Sequence, residues 1–318
     1  MSSIPQPTNA EWLAKVREEI LEPGLPIIDA HHHLWDFPGN RYVLDEFLND
    51  IGTRDGSGHN IVATVFAEVR EMYRPDGPEH LQAIGETEYV NGIAAQSASG
   101  RFGPTRVAAA IFGRAELTLG EAVGETLDAH LAHAPDRFRG IRYITYWDEA
   151  DPFGGPFNGT AKGLLRDATF QRGAKGLAKR NMTFDAFFFH HQISDLTAMA
   201  RALPDLKIVL NHFGGPLGVG AYKNKRAEIF AQWKLDMAEL AKCENVYAKL
   251  GGLCMPTSGY DFEKKPKPPT SDELVALQKD WYLTAIDLFG PSRCMFESNF
   301  PVDKYGVSYH VLWDFLRN

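Results

Sequence analysis

Short apolar runs, rich in β-branched and aromatic residues, recur along the chain and are mostly followed by a longer segment with helical periodicity. Such runs are typical of buried strands, whereas apolar residues spaced three and four apart are typical of helices that pack on one face. The predicted strands cover residues 27–29, 61–69, 107–112, 141–146, 184–189, 208–210, 246–250 and 294–296. The pattern therefore predicts eight strands that alternate with helices.

The segments between the strands predict amphipathic helices over residues 81–95, 119–133, 193–203, 227–243 and 271–288. The last of these begins with Ser271 and carries Asp272 and Glu273 in its first turn, where negative charge stabilises the helix dipole. One more helix is predicted before the first strand, over 9–22. The chain stops inside a predicted helix over 309–318, so we expect this last helix to be incomplete.

Strands that alternate with helices are parallel, because each helix returns the chain to the start of the next strand. Right-handed connections close eight such units most simply into a (β/α)8 TIM barrel of about 250 residues. An open doubly wound sheet is the alternative, but no GxGxxG motif follows the first strand. We therefore predict an α/β chain with an N-terminal helical extension over 1–25 and a single barrel domain over 26–318.

Composition narrows the class of protein. With 44% hydrophobic and 23% charged residues in 318, the chain is typical of a globular enzyme. It has no run of about 18 apolar residues and no secretion signal at its start, so we expect neither membrane insertion nor export. Because 33 basic residues face 41 acidic ones, the net charge of −8 disfavours nucleic acid. A small molecule is the expected partner, and oligomerisation stays open.

Cysteine and histidine carry different amounts of information. Cys243, Cys254 and Cys294 are scattered without a CxxC spacing, which predicts neither a disulfide framework nor a cysteine-rich zinc site. We therefore expect a reducing, cytoplasmic location. Of the 11 histidines, five lie in two tight runs, at 31–33 and 190–191.

Polar residues follow or interrupt most of the predicted strands. In a parallel barrel the active face is formed by the carboxyl ends of the strands and the loops behind them. In chain order, the residues at these positions are Asp29, His31, His33, Glu68, Arg142, His190, His191, His212, Lys249, Glu297, Asn299 and Asp303. We expect most of them to line one site.

The run of three histidines ends the first predicted strand. Since strand side chains alternate, His31 and His33 point to one side and His32 to the other. Two imidazoles in this arrangement can share a divalent cation or hydrogen bond to one polarised substrate oxygen; otherwise they are ordinary core histidines. At the second run, only one of His190 and His191 can share a face with Phe188, and the sequence does not select which.

Charged residues interrupt apolar strands at Glu68, Arg142 and Lys249. An unpaired charge at such a place is costly, so each must pair with another of them or with a ligand. The first alternative is a structural network of ion pairs. The second is a carboxylate-bearing substrate, which Arg142 and Lys249 would bind. Trp35 and Trp147 lie just past strand ends and are candidates for the wall of a pocket.

Six segments together resemble one known family. They are IDAHHHLWD at 28–36, GIR at 140–142, FHHQ at 189–192, IVLNHFGGP at 208–216, VYAKLGG at 246–252 and MFESNFPVD at 295–303. In this order they resemble the amidohydrolase-related branch of the amidohydrolase superfamily, the group with pyrone-dicarboxylate hydrolase, sulfomuconolactonase and the sugar-acid lactonases. The resemblance extends over nearly the whole chain.

This resemblance implies a (β/α)8 hydrolase that opens a lactone or a related cyclic ester, with His31, His33, His190 and His212 in its site. It also implies either a divalent metal, zinc first, held by His31, His33 and His190, or no metal, because relatives of both kinds exist. One residue departs from the family. The strand-eight aspartate, which acts as base or metal ligand in many relatives, is replaced by Asn299, whose amide cannot accept a proton usefully.

Three carboxylates could replace that aspartate as the general base: Asp303, Glu297 and Glu68. We favour Asp303, because a loop carboxylate can lean over the barrel mouth, although it could instead cap the following turn. The predicted function is hydrolysis of a small lactone that carries a carboxylate. The alternatives are a metal-dependent decarboxylase of the same superfamily and an inactive small-molecule binder, which the loss of the aspartate would permit.

Overall fold

The computed structural model describes residues 8–52, 56–149 and 161–317. Eight strands, β1 to β8, form one sheet in chain order, and all neighbouring pairs are parallel. Their bounds are Ile27–His32, Ile61–Ala67, Arg106–Gly113, Phe138–Ile144, Thr183–Phe187, Ile208–Leu210, Val246–Leu250 and Cys294–Phe296. The two ends of the sheet meet where His33 N donates to Phe300 O at 2.7 Å and Asn299 N donates to His31 O at 2.8 Å. The protein is therefore a (β/α)8 TIM barrel, as predicted.

Helices connect the strands. Those in the described part of the chain are α1 Ala10–Leu13, α2 Leu44–Asp50, α3 Ile84–Ala98, α4 Gly124–His133, α5 Ala168–Ala178, α6 Ile193–Ala202, α7 Arg226–Ala241, α8 Ser271–Phe289 and α9 Tyr309–Phe315. A hairpin of Trp35–Phe37 and Asn40–Tyr42 precedes α2. None of the described helices has the length and apolar character needed to cross a membrane.

The N-terminal segment differs from its prediction. Only Ala10–Leu13 of the helix predicted over 9–22 is helical, so that prediction is wrong beyond its first turn. The carboxylate of Glu18 accepts the backbone N–H of Ser271 at 3.0 Å, at the start of α8. Contacts of this kind with the barrel outweigh a helix propensity that is worth less than about 1 kcal/mol per residue.

Strand β5 shows how the barrel separates its two faces. The ring of Phe184 points outward and packs 5.9 Å from that of Phe170 in α5. The carboxylate of Asp185, the next residue, points inward and meets the Lys249 ammonium at 2.6 Å. Because strand side chains alternate, apolar residues bury the helices on the outside while charged groups reach the interior.

His130 joins three elements on the outside of the barrel. Its Nε2–H donates to the carbonyl of Arg114 at 2.8 Å, and its Nδ1 accepts the hydroxyl of Thr87 at 2.8 Å. The ring stacks on Phe138 at 4.5 Å. Burial lowers the pKa of His130 to about 4. The residue therefore fixes α4 to α3 and to the end of β3 in its neutral form.

We expect His130→Gln to lower the free energy of unfolding at pH 7 by about 1–3 kcal/mol, since two buried partners lose an aligned imidazole. The folded pKa of about 4 lies below the ordinary value of 6.5, so the unfolded chain binds the proton first as pH falls. Below pH 6.5, protonation of His130 in the unfolded chain then lowers the free energy of unfolding of the wild type by up to about 1.4 kcal/mol per pH unit. The variant has no such loss. Urea unfolding should therefore show a smaller difference in the free energy of unfolding between the wild type and His130→Gln at pH 5 than at pH 7.

The control is His133→Gln on the same helix. His133 is exposed, so this change should alter stability at pH 7 by less than about 0.5 kcal/mol. A gap between wild type and His130→Gln that stays constant from pH 7 to pH 5 would contradict the interpretation.

Candidate active site

Five ionisable side chains from five different strand ends meet inside the barrel mouth. His31 comes from β1, Asp185 from β5, His212 from the turn after β6, Lys249 from β7 and Glu297 from the residue after β8. None is more than 2% exposed. Groups of this kind are rarely buried without partners, so the cluster depends on its internal hydrogen bonds.

The three consecutive histidines divide between two environments. The Nε2 atoms of His31 and His33 face each other at 3.2 Å inside the mouth. His32 lies on the other side, where its Nε2 meets the hydroxyl of Thr64 at 2.8 Å and its ring stacks on Phe47 of α2 at 4.3 Å. Strand alternation thus assigns two histidines to the site and one to packing.

A buried ion pair lies beside the imidazole pair. The Lys249 ammonium donates to Oδ2 of Asp185 at 2.6 Å and to Nδ1 of His31 at 3.2 Å. The side-chain amide of Asn211 also donates to Oδ2 of Asp185, at 3.3 Å. Lys249 is therefore paired with a carboxylate and in contact with a site histidine.

Glu297 pairs with His212 on the same side of the mouth. Its Oε1 accepts the Nδ1–H of His212 at 2.6 Å and the backbone N–H of the same residue at 3.3 Å. Its Oε2 lies 3.3 Å from Nδ1 of His31 but has no hydrogen-bond partner among the described residues. No described residue hydrogen bonds to Nε2 of His212, which therefore remains an acceptor.

Burial and nearby cations keep these imidazoles neutral. Burial lowers the pKa of His31, His33 and His212 well below the ordinary value. The charge of Arg142 lowers all three further, and that of Lys249 lowers the pKa of His31 and His212. Burial raises the pKa of Glu297 to about 8, against the opposing effect of Lys249. Neutral imidazoles can accept protons, so the site is suited to base catalysis.

Arg142 combines a structural contact with unused hydrogen-bonding capacity. Its Nη1 donates to the carbonyl of Glu68 at 2.9 Å and lies 3.5 Å from Oε1 of the same residue. Its guanidinium carbon lies 5.2 Å from the ring centre of Phe187. Within the described residues, Nε of Arg142 and Oε2 of Glu68 are buried without a partner. The structural ion pair, one of the two alternatives left open by the sequence, is present, and within the described residues it leaves one donor and one acceptor for a ligand.

Asp303 connects two loops of the active face. Its Oδ1 accepts the backbone N–H of Cys254 at 2.6 Å, and its Oδ2 accepts the side-chain amide of Asn299 at 2.6 Å. Burial raises the pKa of Asp303. The contact orients the amide so that Oδ1 of Asn299 is left without a partner in the described part of the chain. Both oxygens of Asp303 are thus engaged, and its role as general base stays a prediction.

The remaining predicted site residues lie around this cluster. The ring of Trp35 lies 6.3 Å from that of His33 and is almost fully buried. Nδ1 of His190 accepts the backbone N–H of Leu217 at 3.4 Å. The half-buried Trp147 offers its carbonyl to Nε2 of His191 at 2.9 Å.

Two places could hold a metal ion. Ligand atoms of His31, His212 and Glu297 lie within 4.8 Å of one another. The Lys249 ammonium also contacts this group, 3.2 Å from His31, and would repel a cation there. The second place is between the Nε2 atoms of His31 and His33, whose separation of 3.2 Å is close to the roughly 3.3 Å between nitrogen ligands of tetrahedral zinc. The residues present therefore fit a divalent cation held by His31 and His33.

His190, the third ligand expected from the sequence, belongs to no group of three ligand atoms within 4.8 Å in the described residues. Its place as a metal ligand stays a prediction.

A sequence model of the amidohydrolase family matches residues 28–317. The chain belongs to the amidohydrolase family. The resemblance found in its motifs is thereby confirmed, and the protein is a hydrolase as predicted.

Relatives of this amidohydrolase agree with the assignment. An uncharacterised protein of Sinorhizobium fredii is 27% identical over 321 residues, which cover 91% of this chain and 90% of the relative. An L-fucono-1,5-lactonase of Burkholderia ambifaria is 27% identical over 283 residues, which cover 87% and 81%. A Burkholderia multivorans amidohydrolase, solved with bound HEPES and with bound zinc, superimposes with a TM-score of 0.66 in both forms. Its identity is 22% and 21%, over 92% of this chain and 91% and 90% of that protein, which shows a shared fold.

Asp185 is a residue of the amidohydrolase site that sequence reasoning missed, whereas Glu297 was placed on the active face and considered as a rival base. The sequence did contain a signal for Asp185. Asp185 interrupts an apolar strand between Phe184 and Ala186, the same criterion that selected Lys249. A lysine buried in one strand needs a carboxylate partner from another strand, and Asp185 is that partner.

We expect Asp303→Asn to lower the free energy of unfolding by about 1–3 kcal/mol, because an amide would set a donor against either Cys254 N–H or the Asn299 amide. Urea unfolding and steady-state kinetics on one preparation would measure both effects, with the exposed Asp205→Asn as control. Unchanged stability together with a kcat at least about 100-fold lower would instead favour Asp303 as the base.

Proposed function

We propose that this amidohydrolase hydrolyses the ester bond of a small lactone that carries a carboxylate. The observation that supports it most is the Glu297–His212 pair, bonded at 2.6 Å, beside the His31–His33 pair. Nε2 of His212 has no hydrogen-bond partner among the described residues. The lactonase of Burkholderia ambifaria, 27% identical, supports the choice of a lactone. A small-molecule substrate and a cytoplasmic location form part of the proposal.

His212 is proposed as the general base that activates water. Above the raised pKa of Glu297, its ionised carboxylate accepts Nδ1–H of His212, so Nε2 can take a proton and the buried charge stabilises the imidazolium that forms. The water oxygen bonds to the lactone carbonyl carbon while its proton passes to Nε2. The ring C–O bond then breaks, the same proton neutralises the departing alkoxide, and the product is a hydroxy acid.

The remaining residues bind and orient the substrate. The unpartnered Oδ1 of Asn299 accepts a hydrogen bond from the water without removing its proton. Donors in the mouth stabilise the oxygen that gains charge in the transition state. A divalent cation held by His31 and His33 would polarise the same carbonyl as a Lewis acid. The free Nε of Arg142 is proposed to bind the substrate carboxylate.

We expect His212→Asn and Glu297→Gln to lower kcat by at least about 100-fold, the usual scale of general-base catalysis. His212→Asn removes the base. Glu297→Gln, compared with the wild type above the pKa of about 8 of that carboxyl, removes the charge that stabilises the protonated base. The measurement is kcat on the best lactone, with melting temperatures to exclude unfolding. The exposed His133→Asn is the control. If His212→Asn keeps nearly full kcat, the base must lie elsewhere.

A substrate carboxylate bound by Arg142 predicts a change in specificity. Arg142→Met should raise KM for a carboxylate-bearing lactone by about 10-fold or more and leave KM for its methyl ester nearly unchanged. Loss of stability with equal effects on both substrates would indicate that Arg142 only forms a structural ion pair with Glu68.

The function itself is tested by incubating the purified chain with a panel of small lactones, with and without carboxylates. Each reaction is followed by proton release at constant pH and by mass spectrometry of the product. The proposal predicts a hydroxy acid heavier than the lactone by one water. Release of CO2 would identify a decarboxylase, and binding without turnover of any lactone would identify an inactive binder.

A further inference from the structure

Lys249 is a buried cation in contact with a histidine that could hold a metal. Its ammonium is 2% exposed and lies 3.2 Å from Nδ1 of His31. An ammonium has only donors, so in this contact Nδ1 of His31 must be the acceptor. A neutral imidazole that accepts at Nδ1 carries its hydrogen at Nε2.

The other end of the pair leads to the same arrangement. Nδ1 of His33 lies 2.8 Å from the carbonyl oxygen of Ala67. A carbonyl can only accept, so His33 carries its hydrogen at Nδ1 and presents a lone pair at Nε2. That lone pair faces Nε2 of His31 at 3.2 Å, where it accepts the N–H of His31. Both fixed ends therefore require the hydrogen bonds to run in one direction. Lys249 donates to His31, His31 donates to His33, and His33 donates to the carbonyl of Ala67.

A metal between His31 and His33 needs the opposite arrangement of His31. Both Nε2 atoms must then offer lone pairs, so the hydrogen of His31 moves to Nδ1 and requires an acceptor there. Oε2 of Glu297, 3.3 Å away and unpartnered among the described residues, is available for that bond. In this state the Lys249 ammonium faces an N–H donor and keeps only its bond to Asp185.

We propose that Lys249 is a positioning residue that holds His31 in its Nε2–H tautomer and so disfavours a divalent cation between His31 and His33. Without a metal, His31 and His33 are then joined by a hydrogen bond. Zinc must break that bond and is also repelled by the Lys249 ammonium. Since the inference concerns only the protein and the cation, it holds whichever ester is the substrate. A failed lactone assay therefore leaves it intact.

The first test reads the tautomers directly. Chelator-treated wild-type protein labelled with 15N-histidine is examined by long-range 1H–15N correlation spectra, with resonances assigned by His31→Asn and His33→Asn. We expect Nε2–H at His31 and Nδ1–H at His33. Nδ1–H at His31 in the metal-free wild type would overturn the proposal.

The second test measures binding of zinc alone, by equilibrium dialysis of chelator-treated protein with ZnCl2. Lys249→Met should bind zinc about 10- to 100-fold more tightly, the scale of effects from residues that contact metal ligands. Because this change leaves the Asp185 charge without its cation, the double variant Asp185→Asn/Lys249→Met removes both charges together and should also gain affinity. Lys242→Met, at an exposed lysine directly after α7, is the control.

Unchanged zinc affinity in the folded variants would overturn the proposal. If Lys249→Met does not fold, the double variant and the wild-type tautomer spectrum still decide the outcome.

Discussion

The ion pair between Lys249 and Asp185 is the interaction on which the active site depends. It joins β7 to β5 inside the barrel, and its 2.6 Å contact lies where neither charge reaches water. A buried charge without its partner would cost several kcal/mol, so the two residues constrain each other. The ammonium in turn lowers the proton affinity of His31 and His212. Burial and the Lys249 charge together thus keep the neighbouring imidazoles neutral.

Closure of the barrel brings the first and last strands into this site. Asp29, in β1, accepts the backbone N–H of Ser298 at 2.8 Å and its hydroxyl at 2.5 Å, and the hydroxyl of Tyr309 at 3.0 Å. These bonds fasten the segment after β8 to β1, which places Glu297 beside His31. Residues far apart in sequence therefore meet through a carboxylate that takes no part in the proposed chemistry.

The barrel could be predicted from the sequence, but the side-chain pairs inside it could not. Short apolar runs located all eight strands, because such a run between segments with helical periodicity, as at Ile208–Leu210, is typical of a buried strand. The prediction of a helix over 9–22 was wrong because this segment is held by contacts with α8, which belong to the tertiary structure and are not visible in a local pattern. Likewise, strand alternation placed His31 and His33, but only the closed barrel could show that Glu297 bonds to His212 and that Asp303 bonds to Asn299. Pairing across a barrel depends on register, which single-strand patterns do not contain.

The position of His32 has a consequence for strand register. Because three histidines stand in a row, β1 would still present a histidine to both faces if the strand moved by one residue. Such a slip would exchange the inward pair for a single imidazole and leave two histidines against Phe47. The hydrogen bond that Nε2 of His32 accepts from the Thr64 hydroxyl, and the stacking of the His32 ring on Phe47, stabilise one alignment only. The histidine that takes no part in the site thus disfavours a misfolded barrel in which β1 is shifted by one residue.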